Sequence, residues 1–150
     1  MSVTFVLVPL ALAAVSALQA GRKEVDRQGR TVHHVQTRMR DESLVARALQ
    51  DTDAQVSLSA DMIRADWQEV RGQFRRDTHG VWQAEFTGEI NEVEAGRIIS
   101  AVDRAYGIHV QQTVLARLRE RAPTAGMTVE SETVEADESV TVVLAVERGG

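Results

Sequence analysis

No cysteine occurs in the 150 residues, which excludes a disulfide framework, a thiolate metal site and a cysteine nucleophile. Lysine is almost missing too: Lys23 is the only one, and every other basic residue is arginine. Two prolines, Pro9 and Pro123, leave no material for a proline-rich linker, and no internal repeat or low-complexity tract takes its place. There is no Gly-x-Ser-x-Gly and no glycine-rich phosphate loop, so the familiar nucleophile and nucleotide arrangements are absent. Positive charge is in deficit, at a net −5 overall. Residues 1–30 carry four basic and two acidic side chains, which leaves −7 for the remainder. An acidic body of this kind argues against nucleic acid as a partner.

Charge of either sign is missing from residues 3–20, and this is the sharpest boundary in the chain. As a helix the stretch would reach roughly 27 Å, just short of a bilayer core of about 30 Å. Val3, Phe5, Val6, Leu7, Leu10, Leu12, Val15 and Leu18 would supply its apolar surface. Arg22, Lys23, Arg27 and Arg30 follow against Glu24 and Asp26, a basic flank that keeps the C-terminal side in the cytoplasm. Without a basic n-region an uncleaved anchor fits better than a signal peptide. The competing reading is a buried strand over residues 3–8, broken by Pro9, with a core helix after it.

From Thr31 the pattern is that of a soluble α+β domain. Residues 31–40 alternate as a strand, and Asp41 reads as an N-cap for a helix with Leu44, Val45, Ala48 and Leu49 on its apolar stripe. Short strands follow at 55–59, 62–67, 69–76 and 81–86, with Asp77-Thr78-His79-Gly80 as a hairpin turn. Trp67, Phe74, Trp82 and Phe86 are assigned to a buried sheet face. A long helix spans about 91–121, and Val93, Ile98, Val102, Tyr106, Val110, Val114 and Leu118 predict one continuously buried face. Residues 127–134 and 139–146 form a closing hairpin, with Val140, Val142, Leu144 and Val146 toward one side. The expected fold class is α+β: a mostly antiparallel sheet with two helices on one face, preceded by an N-terminal apolar helix.

The run Val32-His33-His34-Val35-Gln36-Thr37-Arg38-Met39-Arg40-Asp41-Glu42-Ser43-Leu44-Val45-Ala46-Arg47-Ala48-Leu49 resembles the opening of a small family of uncharacterised proteins, those of hypothetical chloroplast reading frame thirty-five. The family occurs in cyanobacteria, algal chloroplast genomes and other bacteria. The resemblance resumes at Arg104-Ala105-Tyr106-Gly107-Ile108-His109-Val110 and covers about residues 31–147. The chain departs from the pattern in doubling the strand histidine as His33-His34, and in placing Ile108 where the helix histidine falls, with His109 one step later. The resemblance implies a domain of residues 31–150 and an added segment of residues 1–30. It carries no activity. Its members' proximity to AAA-type ATPase genes implies an adaptor role.

The candidate chemistry is sparse. His33, His34, His79 and His109 show no local metal-ligand spacing, and neither a metal nor a cofactor is expected. Glu130, Glu132, Glu135, Asp137 and Glu138 make the last hairpin acidic, a surface suited to a basic partner; Glu130 and Glu132 are expected on the face opposite Val129. Together with His33 and His34 these are the candidate partner-binding residues. The expectation is a non-enzymatic interaction protein, anchored through residues 3–20 in a bacterial cytoplasmic membrane with its acidic domain on the cytoplasmic side, and serving an AAA-type ATPase assembly. The alternatives are a cytoplasmic structural subunit that buries residues 3–20, or an enzyme whose carboxylates or paired histidines line a pocket. Oligomeric state is left open.

Overall fold

The computed structural model describes residues 1–7, 23–25 and 27–147. In chain order the strands and helices are β1 (Ser2–Leu7), β2 (Lys23–Val25), β3 (Thr31–Val35), α1 (Glu42–Asp51), β4 (Gln55–Leu58), β5 (Met62–Trp67), β6 (Val70–Arg76), β7 (Trp82–Gly88), α2 (Glu92–Arg121), β8 (Met127–Val134) and β9 (Val140–Val146). The fold is α+β and every strand pairing is antiparallel. The chain divides into two units, one from Ala11–Gly107 and one from Met1–Leu10 with Ile108–Gly150.

Two features of the expected fold are corrected. The N-terminal apolar helix is absent: Ser2–Leu7 is a strand, paired with β9 from Ser2↔Ala145 to Leu7↔Val140. Val3, Thr4 and Val6 are β-branched and Phe5 is aromatic, which disfavours helix and suits a pleated surface. Among the described residues no helix is long and apolar enough to cross a membrane. Leu10, Leu12, Val15 and Leu18 lie outside the described residues. Nor is β1 the buried strand of the competing reading, since Val3, Phe5 and Val6 are 37, 42 and 57% exposed. The second correction is that there are two sheets. Both edges of β9 are taken by β1 and β8, so the closing hairpin builds a three-stranded sheet of its own.

The larger unit holds the order β2-β3-β7-β6-β5-β4. Its register sorts the side chains cleanly. Val35, Ala84, Phe74 and Ile63 lie across one face, and His33, Phe86, Gly72 and Ala65 beside them; all of these are buried except that Gly72 has no side chain. Gly72 leaves space that the rings occupy: a Cβ there would sit 2.9 Å from Trp67 and 3.2 and 3.3 Å from Phe86 and Phe74. Phe74 and Phe86 meet edge to face with centroids 6.2 Å apart, and Trp67 lies 5.9 Å from Phe86. The four aromatic residues assigned to a sheet face all lie on it, as their pairing partners show. Gly88 is the second glycine under constraint, at φ +116°, where a Cβ would sit 2.2 Å from the Glu69 carbonyl oxygen.

Local signals account for α1. The Asp41 carboxylate accepts from Leu44 N at 3.1 Å, and the stripe Leu44, Val45, Ala48 and Leu49 is buried. The loop before it is held by Tyr106, whose hydroxyl oxygen accepts from the backbone N–H groups of Arg40 and Asp41 at 3.1 and 3.2 Å. Arg38 and the buried Asp103 pair through two hydrogen bonds, at 3.2 and 3.0 Å.

The expected continuous apolar face of α2 is not found. Val93 and Val114 are exposed. The buried positions are instead Ala95, Ile99, Val102, Asp103, Tyr106 and Gly107 in the first unit, then Gln111 and Leu115 in the second, with Leu118 partly buried. Ala95, Ile99, Asp103, Gly107, Gln111 and Leu115 recur at every fourth residue and are all buried, so the fourfold repeat is present but runs one residue later than the expected series through Val102, Tyr106, Val110, Val114 and Leu118. In the smaller unit Leu115 and Ala122, with Leu118 beside them, pack on Val140, Val142 and Leu144 of β9, with Leu7, Met127 and Val129 at the margin.

Candidate functional site

Gln111 organises one end of the smaller unit. It is buried on α2, and its Nε2 donates to the carbonyl oxygens of Leu7, at 2.7 Å, and Glu138, at 3.0 Å, tying the end of β1 and the hairpin turn to the helix. Between the helix and β8 an open groove of about 560 Å³ remains, lined by Ile108, Gln111, Gln112, Leu115, Arg119, Glu132, Val134, Glu138 and Val140. Its volume falls within the usual range for binding clefts. Leu115 and Val140 form an apolar floor, while Val134 stands 73% exposed on the wall.

A bulge determines that wall. Val129 pairs with Leu144 but Ser131 pairs with Val143, so Glu130 is an extra residue in β8. Beyond it, Glu132 faces Val142 and Val134 faces Val140, on the same side as Val129. Simple alternation placed Glu132 opposite Val129; the extra residue turns it onto the helix-facing side, where it meets Arg119 in a two-point ion pair. This hydrogen bonding to Arg119 holds the Glu132 carboxyl below its ordinary pKa, and Arg119 is raised in turn.

The hairpin turn carries the other acids. Asp137 accepts from the Ser139 hydroxyl at 2.5 Å and from Ser139 N at 3.0 Å, and these bonds lower its pKa. Glu138 occupies left-handed backbone at φ +67°, with its N–H donating to the Glu135 carbonyl at 3.0 Å. Glu135 accepts from Thr141, and Glu130 from Ser2 at 3.5 Å. Of the five hairpin acids, Glu132 and Glu138 line the groove.

His33 and His34 belong to the larger unit. His33 is buried, and its Nε2–H donates to the Ile90 carbonyl at 3.1 Å, which fixes that tautomer. His34 points to the opposite face, 3.5 Å from Glu85. That face is a mixed array: Arg71 donates to Asp66 at 3.0 Å, and Arg30, Val32, Gln73, Glu85 and Thr87 line a cavity of about 200 Å³ beside Arg71. Its histidine lies outside that lining. Among the described residues no group of three His, Asp or Glu side chains is arranged to hold a metal ion. A general acid needs a carboxyl raised toward neutral pH. The carboxyls whose shifts are resolved, Asp77, Glu132 and Asp137, all shift downward through hydrogen bonds.

Ile108, Gln111, Gln112, Leu115, Arg119, Val134 and Val140 were not singled out as site residues from sequence. Arg119 lies in the basic run 117–121, which the helix dipole alone explains, and no residue pattern marks the bulge. Of the apolar residues expected to form an anchor, Val3, Phe5, Val6 and Leu7 lie on β1 in this same unit. No family model, curated protein or solved structure matches the chain.

Proposed function

We propose that the protein is a non-enzymatic docking module whose groove between the 108–121 part of α2 and the β8–β9 hairpin receives a basic segment of a protein partner. The observation that carries this is the combination of an apolar floor, Leu115 and Val140, with Glu132 and Glu138 on the lining and Glu135 and Asp137 at the adjoining turn. A segment presenting one or two apolar side chains beside Lys or Arg fits that chemistry: the apolar groups fill the floor and the cations face the hairpin carboxylates. Arg119 and Glu132 offset one another, so the net charge of the groove lining with its adjoining turn is negative, from Glu135, Asp137 and Glu138. An AAA-type ATPase assembly is the first partner to try, on the strength of the family resemblance.

The test is a backbone amide NMR titration with a synthetic Lys/Leu amphipathic peptide and a Glu/Leu peptide of the same apolar spacing. The Lys/Leu peptide is expected to shift Ile108, Gln112, Val134 and Glu138, and the Glu/Leu peptide to leave them unmoved. Val134→Lys, at an exposed position, should abolish the response while leaving the far-UV spectrum unchanged. Equal binding of both peptides, or shifts scattered away from the groove, would overturn the reading.

A further inference from the structure

Sheet edges are unpaired rows of N–H and C=O groups, and proteins blunt them with charge, proline, bulges or brevity. Three of the four described edges follow that rule. β2 has three residues, two of them charged; β4 has four residues; β8 carries a bulge at Glu130 and two acids, Glu130 and Glu132. β1 follows none of it. Its six residues, Ser-Val-Thr-Phe-Val-Leu, contain no charge, proline or glycine, and its register with β9 runs unbroken. Val3, Phe5 and Val6 are substantially exposed along it.

Backbone geometry identifies the outward groups. Val146 N donates to the Met1 carbonyl, so Met1 lies in a hydrogen-bonded pair with β9. Pairs of this kind alternate along an antiparallel ladder, so Val3, Phe5 and Leu7 turn their backbone groups toward β9, and Ser2, Thr4 and Val6 turn theirs to the outer edge. The same sorting governs side chains: Val3, Phe5 and Leu7 lie on the side of Leu144, Val142 and Val140, with Ser2, Thr4 and Val6 on the other.

We propose that β1 is a self-association edge, through which two copies of the chain pair antiparallel about a twofold at Thr4. In that register Thr4 faces Thr4 of the second copy, Ser2 faces Val6, and Val3 faces Phe5. All the outward N–H and C=O groups of Ser2, Thr4 and Val6 are paired, and the apolar row meets an apolar row. A second copy is the occupant that fits because the strand is complementary to itself and uncharged, so nothing on it repels its own image. The β8 backbone lies two strands away, and although its Glu130 reaches back to Ser2 at 3.5 Å, the twofold at Thr4 sets the Ser2 ends of the two strands apart, so the two Glu130 carboxylates do not oppose one another. The pairing is isologous and closes at two copies. One strand pair buries far less than the roughly 1,600 Å² of a standard interface, so the dimer is weak and concentration-dependent. Because the bodies are acidic, added salt strengthens it.

The absence of cysteine supplies a clean test in the full-length chain. Thr4→Cys places two thiols at a hydrogen-bonded pair, where Cα atoms about 5.5 Å apart accommodate a disulfide. Under mild oxidation it is expected to cross-link at least about tenfold faster than Ser57→Cys at an exposed strand position, through the raised effective concentration. Sedimentation velocity should show wild type moving toward dimer with concentration. Thr4→Pro, which removes only an outward N–H, and Thr4→Lys should both remain monomeric with an unchanged melting temperature. Cross-linking at Phe5→Cys faster than at Thr4→Cys overturns the Thr4 register. A monomer at every concentration overturns the proposal, and slow amide exchange at Ser2, Thr4 and Val6 in such a monomer would show that another occupant covers the edge.

Discussion

β5, β6 and β7 succeed one another through short turns, and their shared face closes over Gly72 with three aromatic rings. β1, β9 and β8 are recruited instead from opposite regions of the chain, and their core of Leu115, Ala122, Val140, Val142 and Leu144 is wholly aliphatic. The larger sheet has both outer strands short, whereas the smaller one leaves a full uncharged strand at its margin, with Val3 and Phe5 incompletely covered. Close packing with blunted edges characterises a scaffold. Partial cover over an apolar surface characterises a region that has binding left to do.

Substitutions can break that contrast. Phe86→Ala, in the fully buried aromatic cluster, is expected to cost about 3–5 kcal/mol in chemical denaturation. Leu144→Ala, equally buried in the smaller unit, should fall near the low end of the usual range, at about 2–3 kcal/mol, because neighbouring Val3 and Phe5 can settle into the space. Equal losses at the two sites would remove the claimed difference in packing. Tyr106→Phe leaves the backbone N–H groups of Arg40 and Asp41 without their acceptor and should cost about 1–3 kcal/mol, with amide exchange accelerated at residues 38–41.

The smallest expected effect is a pH dependence at the β6–β7 turn. Asp77 accepts from Val81 N at 3.0 Å, His79 N at 2.8 Å and Gln83 Nε2 at 2.9 Å, and the backbone bond from Val81 leads in lowering its pKa. A carboxyl depressed in the folded state contributes stability above its unfolded pKa, near 3.9, and that contribution disappears as pH falls through the folded value. Asp77→Asn should therefore lower the melting temperature at neutral pH and flatten the decline on the acid side. A mutant whose acid limb matches wild type would show that the turn bonds do not report on protonation.

Residues 31–146 were legible wherever a local rule governs them. The Asp41 cap, the Asp77 to Gly80 turn and the alternation of Val140, Val142 and Leu144 each act over a few positions, and each recurs in the structure. What was misread depends on partners far along the chain. Val3 to Leu7 is apolar enough for either helix or strand, and only β9, over 130 residues away, decides between them. The reversal of Glu132 by one extra residue, and the one-residue difference in phase between the expected and the buried stripe of α2, leave the composition of their segments unchanged while altering which side chains meet. The groove was invisible for the same reason, since its helix and strand sides are ordinary amphipathic stretches taken singly.

The pairing of Ser2–Leu7 with Val140–Val146 also sets an order of events in time. Contacts that close so long a loop form late, whereas the β5-β6-β7 meander closes through short turns. On a ribosome the six-stranded unit has its strands in hand while β9 is still unmade, and β1 waits for nearly the whole chain to be synthesised before its partner exists. Throughout that interval β1, uncharged and apolar, is without its partner strand. Pulse-labelled hydrogen exchange during refolding should accordingly show the amides of β5 to β7 protected before those of β1 and β9.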